Sequence, residues 1–333
     1  MFALPRDSMK PILHATLFIA LSASIPAFAQ DPLPDAALQR ANEAQPTGDL
    51  KDDANAAARL RAQVLLDRAY FGTGEIDGRW GSNTERAVAA FQRSRDLDAT
   101  GTMDDATWRA LTADASPALI EYRLTAQDVA GPYTAIPNDM MAKAALPQLG
   151  FASLAESLGE RFHASPALLA ALNPGVDLTR EGTTLWVPNV QVGAPAKAAS
   201  VVVDKSDSSV MLRDEQQRVY ARFPASTGSE HDPLPIGQWT IKGVARDPHF
   251  QYNPKLFWDA HPGHAKAKIA PGPNNPVGVV WVDLSKDHYG IHGTPEPGKV
   301  GKTESHGCIR LTNWDASALA AAVGPGTPAM LQQ

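Results

Sequence analysis

The sequence predicts a multidomain protein in which small helical and α/β units precede one mainly-β domain. Two observations support this fold class. Apolar residues recur at helical spacing up to about residue 190, whereas short apolar runs separated by polar turns take over from about residue 200. We expect the second pattern to form a β-rich domain and the first to form two smaller units.

The first 29 residues have the pattern of a secretory signal peptide. Arg6 and Lys10 precede an apolar run, and Ala27-Phe28-Ala29 supplies small residues at a cleavage site. The run is shorter than the roughly 20 apolar residues that a bilayer requires, so we expect cleavage rather than a retained membrane span. Removal of 29 from 333 residues leaves 304, enough for two or three domains at about 100 to 200 residues each. The expected location is the periplasm, in association with the cell wall.

The charge balance argues against nucleic acid as a partner. The chain has 30 Lys and Arg against 36 Asp and Glu, which gives a net charge of −6 at pH 7. No cluster of basic residues stands out, and nucleic-acid-binding surfaces need one.

Residues 30–55 are expected to form a flexible linker. They are rich in Ala, Asp, Pro and Gln and contain few large apolar side chains. Such a segment does not bury enough apolar surface to offset the entropy that ordering removes.

Residues 56–113 predict a compact unit of three helices. Leu60 and Val64 fall on one face of the first helix, and Ser82 and Glu85 have the spacing of a capping box for the second. Asp104 is placed to cap the third. The unit resembles the small helical peptidoglycan-binding domain, which implies attachment to the wall polymer. The resemblance is carried by Ile76-Asp77-Gly78-Arg79-Trp80-Gly81, Thr84, Ala87-Val88, Phe91-Gln92, Thr100-Gly101 and residues 104–111.

Residues 148–190 predict a smaller α/β unit. Leu154, Leu158 and Phe162 suit one helix, and Ser165-Pro166 is a cap followed by proline at the first position of a second helix. A short strand at residues 182–188 follows. The unit resembles a LysM-type glycan-binding module, although no clear first strand precedes its helices.

Residues 200–332 predict the mainly-β domain. Apolar runs at residues 201–203, 210–212 and 219–223 are separated by polar turns, and one helix is expected at residues 315–323.

This β domain contains the lone cysteine of the chain, Cys308. A lone cysteine in an exported protein has no partner for an intramolecular disulfide, and a nearby imidazole can turn its thiol into a nucleophile. His292 lies far enough upstream to sit on a neighbouring strand, and His306 is two residues away on the same segment. The pattern alone favours neither histidine. Gly307 allows a tight turn that would aim backbone N–H groups at a developing oxyanion.

The segments His292-Gly293-Thr294 and Ser305-His306-Gly307-Cys308-Ile309-Arg310-Leu311 resemble the signature of the L,D-transpeptidase (YkuD) family. Pro235-Ile236-Gly237-Gln238-Trp239 and residues 271–278 extend the resemblance to roughly residues 200–332. It implies a β-sandwich that needs neither cofactor nor metal. It also implies an enzyme that cleaves the L-to-D bond of a peptidoglycan tetrapeptide stem, releases D-alanine, holds the rest as a thioester and transfers the acyl group to an amine of a second stem.

The same resemblance implies roles for individual residues. Cys308 would be the nucleophile and His292 its base, with the carbonyl of Gly293 orienting the imidazole. Arg310 would bind a stem carboxylate or hold the local turn. The remaining candidates for oxyanion or substrate contacts are Gly307, His306, Ser305, Tyr289 and Asn275, with Trp258 as a further cleft residue.

Three alternatives stay open. Water or a protein amine in place of the second stem would give an L,D-carboxypeptidase or an enzyme that attaches a protein to the wall. His261-Pro262-Gly263-His264 is a weak pattern for a metal-dependent hydrolase, because surface loops rich in Pro and Gly often carry such histidines. A wall-binding protein with a merely structural thiol is the non-enzymatic alternative.

Overall fold

The computed structural model describes residues 35–333. The predicted signal peptide, residues 1–29, and the first residues of the predicted linker lie outside this range. Within it, no helix combines the length and the apolar character that crossing a bilayer requires.

The helices are, in chain order, α1 Asp35–Glu43, α2 Ala56–Arg68, α3 Ser82–Ser94, α4 Asp105–Leu111, α5 Ala126–Ala130, α6 Met140–Ala144, α7 Leu154–Arg161, α8 Pro166–Leu172 and α9 Asn313–Ala322. The strands are β1 Leu119–Arg123, β2 Thr184–Pro188, β3 Ser200–Asp204, β4 Ser209–Arg213, β5 Val219–Pro224, β6 Gly237–Arg246, β7 Phe250–Tyr252, β8 Ala267–Ile269, β9 Val280–Leu284, β10 Gly290–His292, β11 Ile309–Arg310 and β12 Pro328–Gln332.

The predicted flexible linker is wrong for residues 35–55, which contain helix α1. Leu38 and Ala41 pack against an apolar core further along the chain. The side chain of Asn42 donates a hydrogen bond to the carbonyl of Leu119 and accepts one from its N–H, at 3.0 and 2.7 Å. These tertiary contacts supply the stabilisation that the local composition lacks.

The three predicted helices of the first unit are α2, α3 and α4. Asp104 caps α4 as predicted, because its side chain accepts a hydrogen bond from the Thr107 N–H at 2.7 Å. The predicted capping box on α3 is wrong: Ser82 is already the first helical residue, and Gly81 occupies the cap position without a side-chain bond. Phe71 and Phe91 pack edge to face in the core of this unit.

The middle unit spans about residues 118–190, so it begins some 30 residues before the predicted boundary. Its helices α7 and α8 lie close to their predicted positions, and Ser165 caps α8 ahead of Pro166. The strand that the sequence did not reveal is β1, which pairs antiparallel with β2. Residues 126–152, which carry α5 and α6, separate β1 from α7. The resemblance of this unit to a LysM module stays a prediction.

The mainly-β domain is built on an eight-stranded sheet in the order β11-β10-β9-β6-β12-β3-β4-β5, a count made over the described residues. The long strand β6 pairs with β12 through its first half and with β9 through its second, and the register shifts between Ile241 and Gly243. Such an irregularity bends a sheet. Apolar side chains from both halves of the sheet and from α9 form one buried core. The predicted mainly-β domain is therefore confirmed.

The units pack directly against one another. Backbone hydrogen bonds join the first unit to the edge strand β5. The N–H of Gly72 donates to the carbonyl of Arg222, and the N–H of Arg222 donates to the carbonyl of Tyr70, both at 2.8 Å. His163 of the middle unit bonds Asp67 of α2 at 2.8 Å and stacks on Trp314 of α9. The first and middle units are thus both in contact with the β domain.

Candidate active site

Strands β10 and β11 place the two predicted reactive side chains on one face of the sheet. The strands are parallel, with Ile291 opposite Ile309 and His292 opposite Arg310. Cys308 comes directly before Ile309, so it lies beside Gly290. Because side chains alternate between the two faces of a sheet, Cys308 and Arg310 share the face of His292.

His292 is held in one orientation. Its imidazole is buried, stacks on Trp281 of β9 at 5.4 Å between ring centroids, and bonds the carbonyl of Gly293 through Nδ1 at 2.7 Å. Trp281 reaches this position because Gly290 has no side chain: a Cβ there would lie 2.5 Å from the indole. A carbonyl only accepts hydrogen bonds, so Nδ1 carries the proton and the Nε2 lone pair is left as a base.

The imidazole is neutral in the resting protein. Burial, together with the nearby charge of Arg310, lowers the pKa of His292 to about 4 against the opposing effect of the hydrogen bond to Gly293. A neutral imidazole at pH 7 can accept a proton, which is what a general base requires.

The thiol of Cys308 is also neutral at rest. Burial raises its pKa, although a backbone hydrogen bond from Gly290 and the charge of Arg310 favour the thiolate. The Sγ atom donates to the carbonyl of His288 at 3.7 Å. The two shifts, a raised pKa for the thiol and a lowered pKa for the imidazole, both favour a neutral pair at rest over an ion pair.

This protonation state predicts how Cys308 reacts with iodoacetamide. A raised pKa leaves little thiolate at neutral pH, so we expect the alkylation rate to rise about tenfold per pH unit up to at least pH 8.5, the pKa of an ordinary thiol. The chain has one cysteine, so mass spectrometry of the alkylated protein reports this thiol alone. The urea-unfolded chain is the control and should follow an ordinary thiol. A folded-state plateau extending down to pH 6 would show a preformed ion pair and contradict the assignment.

The segment before Cys308 is fixed by its own backbone and by Tyr289. Ser305 donates its hydroxyl to the carbonyl of Cys308, and its N–H bonds the carbonyl of Thr227 at 2.9 Å. Gly307 has a φ of +95°, and a Cβ there would lie 3.0 Å from the ring of Tyr289. Both the backbone conformation and the close approach of the ring require glycine. Ser305 thus shapes the turn that presents the thiol, instead of facing a substrate.

His306 is engaged elsewhere and is a poor base. Its Nε2 bonds the carboxylate of Asp259 at 3.1 Å, and its Nδ1 lies 3.4 Å from the guanidinium of Arg310, a donor. Both ring nitrogens therefore have partners. The ring also packs against Phe257 and Trp258, which belong to the 253–266 loop between β7 and β8. Trp258 itself is 64% exposed beside this cluster.

The turn that carries Gly293 is packed against Asn313, the first residue of α9. A Cβ on Gly293 would lie 2.2 Å from Asn313 Oδ1, and one on Gly278 would lie 2.0 Å from the same atom. The amide oxygen also accepts a hydrogen bond from the N–H of Val279 at 3.2 Å. Asn313 therefore packs against the turn whose Gly293 carbonyl bonds the imidazole of His292.

Asn275 does not fit its predicted role in substrate binding. Its side chain is completely buried, donates to the carbonyl of Ala270 at 2.7 Å, and accepts from the N–H of Val277 at 2.9 Å. A side chain whose hydrogen bonds go to its own loop and that has no exposed surface cannot contact a stem peptide. Asn275 instead shapes the 271–278 loop that leads to Gly278.

The histidine pair of the metal alternative is used for structure. His264 bonds the hydroxyl of Tyr252 through Nδ1 at 2.8 Å and the carboxylate of Asp139 through Nε2 at 2.7 Å. His261 accepts the N–H of Gly263 at 3.1 Å. Within residues 35–333, no three side chains of the metal-binding types lie together.

Asn313 is the functional residue that the sequence interpretation missed. A signal for it exists, because Thr312 and Asp315 have the spacing of a helix cap, and Thr312 does accept the N–H of Asp315 at 3.1 Å. That cap would have moved the start of the predicted helix from residue 315 to Asn313. Trp281 and Asp259 had no comparable signal.

Two domain families match the chain. Residues 198–331 match the L,D-transpeptidase catalytic domain YkuD. Residues 55–111 match the family described as "Putative peptidoglycan binding domain".

Whole proteins match as well. A Bacillus subtilis strain 168 protein named "Putative L,D-transpeptidase YkuD" is 53% identical over 172 residues, covering 51% of this chain and 88% of its own length. Its Bacillus licheniformis namesake is 28% identical over 174 residues, covering 52% of this chain and 89% of its own. Among solved structures, an L,D-transpeptidase from Mycobacterium smegmatis has 20% identity and a TM-score of 0.33, covering 46% of this chain and 75% of that one.

The B. subtilis relative is matched over most of its length at more than half identity. The buried histidine and the cysteine on adjoining strands both lie within residues 198–331, the range that matches the catalytic-domain family. The chain belongs to the YkuD family of L,D-transpeptidases, with a peptidoglycan-binding domain ahead of its catalytic domain.

Proposed function

We propose that Cys308 is the nucleophile of a peptidoglycan L,D-transpeptidase and that His292 is its general base. The observation that carries the proposal is the hydrogen bond that fixes the tautomer of His292, with the proton on Nδ1. Its Nδ1–H is held by the carbonyl of Gly293, and the neutral imidazole lies on the face of the sheet that also bears Cys308. The Gly293 carbonyl orients the imidazole here as a carboxylate does in other acyl-transfer enzymes. The oriented ring can then accept the proton of the thiol.

The first half-reaction forms a thioester. His292 takes the thiol proton as Sγ attacks the carbonyl carbon of the L-to-D bond in a tetrapeptide stem. The C–N bond then breaks, and the imidazolium returns the proton to the leaving amine of D-alanine. The N–H groups around Gly307 and Cys308 are our candidates for binding the oxyanion, and Arg310 is the candidate for a stem carboxylate.

The second half-reaction reverses these roles. The amine of a second stem attacks the thioester, His292 accepts its proton, and Sγ leaves as the regenerated thiol. The product is a cross-link between two stems. The wall-binding domain at α2–α4 and the LysM-like unit would raise the local concentration of the catalytic domain at its polymeric substrate. We propose export to the periplasm through the predicted signal peptide, residues 1–29.

The test is a product assay with purified disaccharide-tetrapeptide. We expect D-alanine and a cross-linked dimer, with a transient mass increase on Cys308 equal to the acyl group. Monomeric tripeptide without dimer would indicate that water is the acceptor, which gives an L,D-carboxypeptidase. D-alanine release that persists after Cys308 is alkylated would contradict the proposed nucleophile.

A further inference from the structure

Helix α7 of the middle unit reaches the catalytic domain with two carboxylates. Glu156 and Glu160 are four residues apart, so they lie on one face of the helix. Glu156 accepts a hydrogen bond from the side-chain amide of Asn274, and Glu160 accepts one from the side-chain amide of Asn313 at 3.0 Å. Both asparagines belong to the mainly-β domain.

The two contacts differ in what lies behind them. Asn274 is in the 271–278 loop, and its amide also bonds the carbonyl of Gly150 in the middle unit at 2.9 Å. Asn313 instead contacts the turn that follows His292: its Oδ1 packs against the backbone of Gly278 and Gly293. Only the contact of Glu160 continues to His292, through the Gly293 carbonyl at 2.7 Å from Nδ1.

The amide of Asn313 depends on Glu160 for its orientation. Its Nδ2 has two acceptors, Glu160 Oε1 at 3.0 Å and the carbonyl of Pro273 at 3.2 Å, and these keep Oδ1 turned toward Gly293. Asn313 is 3% exposed, so water cannot replace a lost partner without rearrangement. Loss of Glu160 would leave one of the two N–H donors of the amide unpaired and remove one of the three hydrogen bonds that fix its orientation, the others being those to Pro273 and from Val279.

We propose that Glu160, a residue outside the catalytic domain, is a positioning residue for the catalytic base. It holds Asn313 against Gly293, whose carbonyl fixes the imidazole of His292. The inference rests on the proposed role of His292. It gives the middle unit a part in orienting the base of the β domain.

An amide can replace this carboxyl group. Burial raises the pKa of Glu160 to about 7, so near neutrality the group is present in both protonation states. Either state offers an oxygen to Asn313, and so does the carbonyl of a glutamine. The contact therefore depends on an acceptor at this position and not on a charge.

The experiment compares D-alanine release by the full chain and four variants. We expect Glu160→Ala to lower kcat about ten- to hundredfold with KM nearly unchanged, because a small displacement of a reacting group costs this much in rate. Glu160→Gln should restore kcat, and Glu160→Asp, which is one carbon too short, should not. Glu156→Ala is the matched control: it removes an equivalent contact one turn earlier and should keep kcat.

The outcomes separate this inference from the proposed function. Unchanged kcat in Glu160→Ala, or equal losses in Glu160→Ala and Glu156→Ala, would overturn the positioning role. If Glu160→Ala fails to fold, full activity of Glu160→Asp would overturn it instead. A wild-type activity that Cys308→Ala retains would refute the proposed function itself, whatever Glu160 does.

Discussion

Cys308→Ser is expected to lose at least about 10³-fold in the rate of cross-linking, because a hydroxyl is a far weaker nucleophile than a thiol in a site built for sulfur. The substitution is close to isosteric, and Cys308 is only partly buried. We therefore expect the melting temperature to change little. The measurement is dimer formation from tetrapeptide at matched protein concentration, with circular dichroism as the check on folding.

A second route to the same result guards against a folding effect. Alkylation of the wild-type thiol should abolish activity in proportion to the fraction modified, and since the chain has one cysteine, that fraction is read from the intact mass. Tetrapeptide present during alkylation should slow both the modification of Cys308 and the loss of activity. Cross-linking that survives full alkylation, or a serine variant within tenfold of wild type, would show that the sulfur does not carry the reaction.

The reactive residues could be predicted from the sequence because their signals are local. The residues around Cys308 and His292 form two short segments, and the parallel pairing of β10 with β11 needs only those segments. The choice between His292 and His306 required tertiary contacts. The imidazole of His306 is bonded to Asp259, which lies almost 50 residues upstream, and no short-range pattern indicates that pairing.

The fold was predictable wherever apolar periodicity decides the structure, as in α2–α4, α7, α8 and the first strands of the β domain. It was not predictable for α1 and β1. Helix α1 is polar, and two hydrogen bonds between Asn42 and the distant Leu119 hold it in place. Strand β1 is 60 residues from its partner β2, with helices α5 to α8 between them, so neighbouring residues give no sign of the pairing.

The contact of Glu160 with Asn313 belongs to the same class. It joins residues 153 positions apart, and a glutamate on a helix is ordinarily solvated. Only the packed units show that this carboxyl group bonds Asn313, which in turn packs against the turn that carries Gly293. Polar side chains that act through a tertiary contact leave no periodic trace in a sequence, which is why Asn275 was mistaken for a substrate ligand and Asn313 was missed.

His292→Gln is expected to lower the turnover of tetrapeptide by about 10²- to 10⁴-fold, the usual contribution of a general base. Glutamine fills a similar volume against Trp281 and can donate to the Gly293 carbonyl, but it cannot accept the thiol proton. His306→Gln, which alters the other histidine of the segment, is the matched control and should lose much less.

The alkylation profile distinguishes a base from a merely structural residue. The raised pKa of the Cys308 thiol comes from burial, and the interactions that oppose it are the backbone hydrogen bond from Gly290 and the charge of Arg310, not His292. His292→Gln should therefore leave the pH dependence of alkylation almost unchanged while turnover collapses. If the thiol pKa rose by a unit or more in this variant, the two residues would form an ion pair at rest. If alkylation by iodoacetamide accelerated at every pH, the substitution would have opened the site, and the loss of turnover would no longer identify His292 as the proton acceptor.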